Sequence, residues 1–142
     1  MASGVKCNPI VSEYFEDIKL HHKYQYLIYG LNSSLTEITI LECGEKNSSY
    51  EHFKQQLMKM KDDKKDGAYA IFDYPLENKG DLLIFICWIP IDLPVKKRMI
   101  LASSKDAIKK KLKGIRISIE ATEEEDIEED VIRSKCVASR QI

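Results

Sequence analysis

Residues 82–89, Leu-Leu-Ile-Phe-Ile-Cys-Trp-Ile, are apolar without interruption, and no other stretch restricts the possible folds as much. The run is short for a helix and rich in β-branched and aromatic side chains, so it reads as a strand. A strand that is apolar on both pleat faces has to be covered on both, which places it mid-sheet with packed layers above and below. Residues 68–74, Ala-Tyr-Ala-Ile-Phe-Asp-Tyr, form a second interior strand, joined to it by a loop over 75–81.

The rest of the chain supplies the covering. Asn8 as N-cap and Pro9 at the first helical position open a helix to about Leu20, with Ile10, Val11, Tyr14, Phe15 and Ile18 at helical spacing. Residues 24–31 and 35–43 are β-branched and apolar runs around Asn32-Ser33-Ser34, a hairpin. Ser48 or Ser49 caps a helix that buries Phe53, Leu57 and Met60, and residues 61–67 are a polar loop. A long helix over about residues 94–113 is opened by Asp92 or Leu93, with Pro94 at or near its first turn, and ends at Gly114, with Val95, Met99, Ala102, Ala107, Ile108 and Leu112 as its apolar stripe. Ser103-Ser104 predicts a bend within it. Residues 115–121 read as a strand, and Thr122 caps a last helix ending near Cys136. Strands and helices in this order fold economically as an α/β/α sandwich of the α+β class, a mixed sheet with helices on both faces.

A length of 142 residues with 44% apolar and 32% charged residues predicts one domain, with a flexible N-terminal arm over 1–6 and a flexible tail over 137–142. No stretch nears the ~18 apolar residues of a spanning helix, and Met1-Ala2-Ser3-Gly4 is followed by no signal region, so the chain is expected to be soluble, cytoplasmic and monomeric. Cys7, Cys43, Cys87 and Cys136 lie far apart without a Cys-x-x-Cys pair, which predicts free thiols and no zinc site. Phosphate-loop, dinucleotide and nucleophile-elbow signatures are absent, and His21 and His22 read as a helix C-terminal cap or solvated turn. The expectation is a non-enzyme without metal or cofactor.

Charge is where the sequence becomes specific. The net charge of −1 hides nine basic residues between Pro94 and Arg116 against Asp106 alone, followed directly by an acidic block from Glu120 to Asp130. Like charges at i,i+4, such as Lys105 and Lys109, repel mildly within a helix, so an external acidic partner is needed to compensate them. Nucleic acid fits poorly, because no aromatic residues interleave the basic run and the neighbouring acidic block repels phosphates.

The run from Pro94 to Lys110, Pro-Val-Lys-Lys-Arg-Met-Ile-Leu-Ala-Ser-Ser-Lys-Asp-Ala-Ile-Lys-Lys, resembles the signature of the actin-depolymerising factor (ADF)/cofilin family. The likeness extends to Met1 to Val5, Tyr69 to Tyr74, Trp88 with Pro90, and Gly114-Ile115; Leu101 and Ile91 depart from it, where the family usually has Tyr and an acid. The resemblance implies the ADF-homology fold, a five- or six-stranded mixed sheet between helix pairs. It implies a protein that binds actin monomers and filaments, prefers the ADP form, and promotes depolymerisation and severing, with phosphoinositide lipids as competing regulators. By position it implies a monomer-binding surface of Ser3, Gly4, Val5, Lys96, Arg98, Met99, Lys105, Asp106, Lys109 and Lys110, with Ser3 as a regulatory phosphorylation site. It implies a filament-binding surface of Lys79, Arg133, Lys135 and Arg140. The loop before the second interior strand offers only Lys79, so the alternative is mainly monomer binding with weak severing, or a phosphoinositide-binding regulatory protein.

Overall fold

The computed structural model describes residues 4–76 and 80–140, Arg140 by its backbone only. The elements are β1 (Lys6–Cys7), α1 (Ile10–His21), β2 (Tyr24–Leu31), β3 (Glu37–Glu45), α2 (Tyr50–Asp62), β4 (Ala68–Leu76), β5 (Gly80–Trp88), α3 (Val95–Lys109), β6 (Ile117–Ala121), a short 3-10 turn (Glu124–Ile127) and α4 (Glu129–Arg140). Six strands form one mixed sheet in the order β1-β3-β2-β4-β5-β6. The two outermost pairings, β1 with β3 and β5 with β6, are parallel, and the rest are antiparallel. This is the expected α/β/α layering around a mixed sheet, and the apolar run of β5 lies inside the sheet between β4 and β6.

Strand periodicity divides the interior in two. Even positions Ala68, Ala70, Phe72 and Tyr74 of β4, with Leu82, Ile84, Ile86 and Trp88 of β5, pack with Phe53 and Leu57 of α2 and Ile132 and Cys136 of α4. Odd positions Tyr69, Ile71, Phe85 and Cys87 pack with Val11, Phe15 and Ile18 of α1 and Leu101 and Ile108 of α3. Each layer has a polar pin. The Trp88 indole donates to the Leu57 carbonyl at 2.8 Å, tying α2 down, and the Tyr69 hydroxyl donates to the Leu101 carbonyl at 2.5 Å, tying α3. Gly67 makes room for that second contact, because a Cβ there would meet the Trp88 carbonyl and the Leu101 side chain.

Several boundaries differ from the sequence reading. Val5 is buried and Lys6 and Cys7 pair with Glu37 and Ile38, so the expected arm over 1–6 is anchored from Val5 onward. Two residues are too few to show a strand period, which is why β1 was not foreseen. The hairpin strands β4 and β5 extend through Leu76↔Gly80, beyond the expected loop at 75 and 81. The long helix stops at Lys109 rather than near 113, because Lys111 and Leu112 bond back to Ile108 and Lys109 in tighter turns before Gly114 at φ +96°. It runs unbroken through Ser103 and Ser104. At the other end, α4 continues to Arg140 through residues expected in the tail, since buried Ile132 and Cys136 hold it against the sheet.

Thr122 does not cap the last helix. The 3-10 turn Glu124–Ile127 comes between it and α4, and Asp126 closes the start of that turn, accepting from the backbone N–H groups of Thr122 at 2.9 Å and Glu123 at 3.1 Å. These bonds, that of Thr122 first, hold its carboxyl below the usual aspartate range. A depressed folded-state pKa adds stability above the unfolded pKa that disappears as pH falls through the folded value. Asp126→Ala is therefore expected to cost about 1 kcal/mol at neutral pH. Urea unfolding across an acid pH series should show that difference from wild type shrinking; a difference constant down to the lowest pH would remove the cap argument.

Candidate functional site

The face that α3 turns outward follows from which of its two apolar stripes the sheet takes. Leu101, Ser104 and Ile108 are buried, and Leu112 continues the same line. From the expected apolar stripe, Val95 is 60% exposed and Ala102 is exposed as well, and Met99, which the resemblance assigns to the binding surface, is 65% exposed. Both stripes have helical spacing. The buried one contains the small Ser104, which the sequence reading placed at a surface bend, and it lets α3 lie close to Gly67 and Tyr69.

Met99 consequently lines an open apolar groove of about 440 Å³ between α3 and the end of β6. Val95, Ala102, Ile89 and the 57% exposed Ile91 contribute its walls. Cys87 lies in the floor, where burial pushes its thiol up to about 12, so it presents a neutral surface. A surface that leaves a methionine, a valine and an isoleucine together in water is an interaction site rather than a scatter of single residues.

Charge surrounds this groove. Arg98 lines it, with its Nε donating to the Leu93 carbonyl at 3.0 Å, and Lys105 reaches Glu120 on β6. The Lys105 bond holds the Glu120 carboxyl below its usual range, and Glu120 in turn raises Lys105. Glu120 is 63% exposed, and an exposed pair of this kind is worth about 0–1 kcal/mol, so an acidic partner can replace it. Helical spacing puts Lys109 on the same flank as Arg98 and Lys105, Asp106 in line with Met99, and Lys96 and Lys110 on the opposite flank. Among the described residues Lys96, Arg98, Lys109 and Lys110 form no ion pair. Lys97, by contrast, turns toward Asp66 at 3.5 Å. Three cations in the first turn, Lys96, Lys97 and Arg98, oppose the positive end of the helix dipole, at ~0.3–1 kcal/mol each when exposed.

Of the other expected site residues, Gly4 is exposed, Val5 is buried in the α1–α3 layer, and β1 directly after it touches α3. Ser3 and Lys79 lie outside the described residues, as does the Arg140 side chain. Arg133 and Lys135 are exposed on α4, but they flank the buried Ile132 and Cys136 from opposite sides and form no shared patch. Ile91, Val95, Ala102, Glu120 and Thr122 line the groove without having been anticipated as site residues. Their signal was present in the spacing of Val95, Met99 and Ala102, but that spacing equally describes a core stripe.

An α/β/α domain that holds one helix with an exposed sulfur-bearing apolar centre and free cations beside a neutral groove is a protein-binding module. Residues 4–137 match the family of cofilin/tropomyosin-type actin-binding proteins. The chain is 36% identical over 136 residues to actophorin of Acanthamoeba castellanii, covering 94% of this chain and 95% of that one. It is 35% identical over 140 residues to cofilin of Mycosarcoma maydis, covering 95% and 96%. The crystal structure of Streptomyces griseoflavus cofilin superimposes with a TM-score of 0.84 at 28% identity, covering 95% of this chain and 98% of that one. Actin depolymerization factor 2 of Plasmodium berghei does so at 0.73 and 27% identity, covering 99% of each. The chain belongs to the ADF/cofilin family of actin-binding proteins.

Proposed function

We propose that this protein binds actin monomers and filaments, prefers the ADP-bound form, and drives filament turnover by depolymerisation and severing, without catalysis of its own. The observation that carries this reading is Met99, 65% exposed in the α3 groove with Arg98, Lys105 and Lys109 along one flank. A flexible apolar plug supplies contact energy, and surrounding cations steer it onto an acidic-rimmed target. Lys96, Asp106 and Lys110 extend the same monomer-binding surface, to which Ser3, Gly4 and Val5 are also assigned. Arg133, Lys135, Lys79 and Arg140 are assigned to filament contact. Because Arg133 and Lys135 point to different sides of α4, monomer binding and subunit loss outweigh stable filament decoration. Phosphoinositide headgroups compete for the α3 cations, and the protein acts as a monomer in the cytoplasm.

Disassembly of pyrene-labelled actin filaments and sedimentation with ADP-actin and ATP-actin test the reading. Wild type should accelerate disassembly and bind ADP-actin more tightly. In the same assay Ser3→Asp should weaken binding, since added negative charge repels an acidic partner and is attracted to the chain's own basic helix. A wild type that neither binds nor accelerates disassembly would overturn the assignment.

A further inference from the structure

On the face of the sheet opposite α2 and α4, the apolar odd positions of β4 and β5 end at two acids. Asp73 follows Tyr69 and Ile71 along β4, and Asp81 precedes Leu83 and Phe85 along β5. Asp81 pairs with Pro75, so strand alternation sets both carboxylates on the same face, toward α1. The last turn of α1 ends over them. His22 takes the left-handed conformation at φ 50°, its N–H bonding to the Asp17 carbonyl as the helix C-cap. That turn brings its Nδ1 to 3.2 Å from Oδ2 of Asp73.

We infer that His22, Asp73 and Asp81 form a binding site for a divalent transition-metal ion, with zinc the best match. One donor atom from each residue lies within 4.8 Å of the others. Ligands about 2.0–2.2 Å from a tetrahedral zinc stand roughly 3.3 Å apart, the separation His22 and Asp73 already have. Asp81, at the surface, would exchange its present contact for the ion by side-chain rotation. Imidazole with two carboxylates is a borderline donor set that neutralises a doubly charged ion and leaves one position open to water.

The second observation is Asp73 itself. Its side chain is 6% exposed, and among the described residues His22 is its only side-chain hydrogen-bond partner, leaving the second carboxylate oxygen without a donor. A buried carboxylate left this way is costly unless a cation completes it. The α1 C-terminus adds the negative end of a helix dipole, which also favours a cation. Lys46 lines the same cleft and opposes a metal, so the affinity is that of a three-ligand site with one competing charge. A bound ion would tie the end of α1 to the root of the β4–β5 hairpin. This inference does not depend on the actin reading.

Titration calorimetry of the full chain with zinc chloride, and absorption spectra with cobalt, test it. Wild type should bind one ion. Asp81→Asn and His22→Asn should each weaken binding at least about tenfold; asparagine tolerates the left-handed backbone at position 22, and both side chains are exposed. Unfolding midpoints without metal confirm that the variants are folded. The cobalt complex should show ligand-field bands without thiolate charge transfer. No saturable binding in wild type at millimolar zinc, unchanged affinity in both variants, or a thiolate band from the cysteines would each overturn the site.

Discussion

Met99→Ala combined with Lys109→Ala is expected to weaken actin-monomer binding by about 2–4 kcal/mol while leaving the fold intact. Met99 is 65% exposed, so truncating it removes little that the folded chain buries for itself. Bound to a partner it becomes a desolvated apolar anchor, the type of contact in which interface energy concentrates. Lys109 forms no ion pair among the described residues. Its loss therefore removes an intermolecular attraction and, internally, only a longer-range attraction to Glu120 that is secondary to that of Lys105. Ten positions along a helix put the two residues about 15 Å apart, far enough for their effects to add. Monomer affinity measured by fluorescence, with urea unfolding as the control for fold, checks this. A change below about 0.5 kcal/mol in the folded double variant would show that the α3 groove is not the binding surface.

Trp88→Ala should have the largest effect on stability, about 3–5 kcal/mol. Trp88 is fully buried at the end of β5, paired with Ala68 on one side and Ala121 on the other. Truncation would leave a cavity beneath α2, too constrained by three strands to collapse. It would also remove the indole bond to the Leu57 carbonyl. Folded domains keep only about 5–15 kcal/mol in total, so this single change should lower the urea midpoint steeply with an unaltered slope. A loss under about 1 kcal/mol would mean that α2 is held by its aromatic cluster of Tyr50 and Phe53 on Phe72 instead.

The strands and helices were readable because their signals are local. The hairpin of β2 and β3, the interior pair β4 and β5, and the Ser49 cap accepting from the His52 N–H at 3.1 Å all follow from spacing and turn chemistry within about ten residues. Where a signal depended on distant partners, it failed. β1 exists only because β3 has a free edge for Lys6 and Cys7. The Asp126 bonds to Thr122 and Glu123 are the exception, spanning only four and three positions, a local capping box that reading Thr122 as the cap passed over.

The basic segment shows the same division. That it carries eight net positive charges and that Met99 belongs to its signature were set by the residues alone. Which face of α3 meets water was not, since the stripes Val95–Met99–Ala102 and Leu101–Ser104–Ile108 have equally good helical spacing. Packing decided it: Gly67 and the Tyr69 hydroxyl accept the second stripe at close range, and the first is left to line the groove. His22, Asp73 and Asp81, separated by up to 59 positions in the chain, meet only when strand register and the end of α1 coincide. Periodicity along a segment determines which side chains share a face, whereas the direction that face points depends on burial against residues elsewhere in the chain.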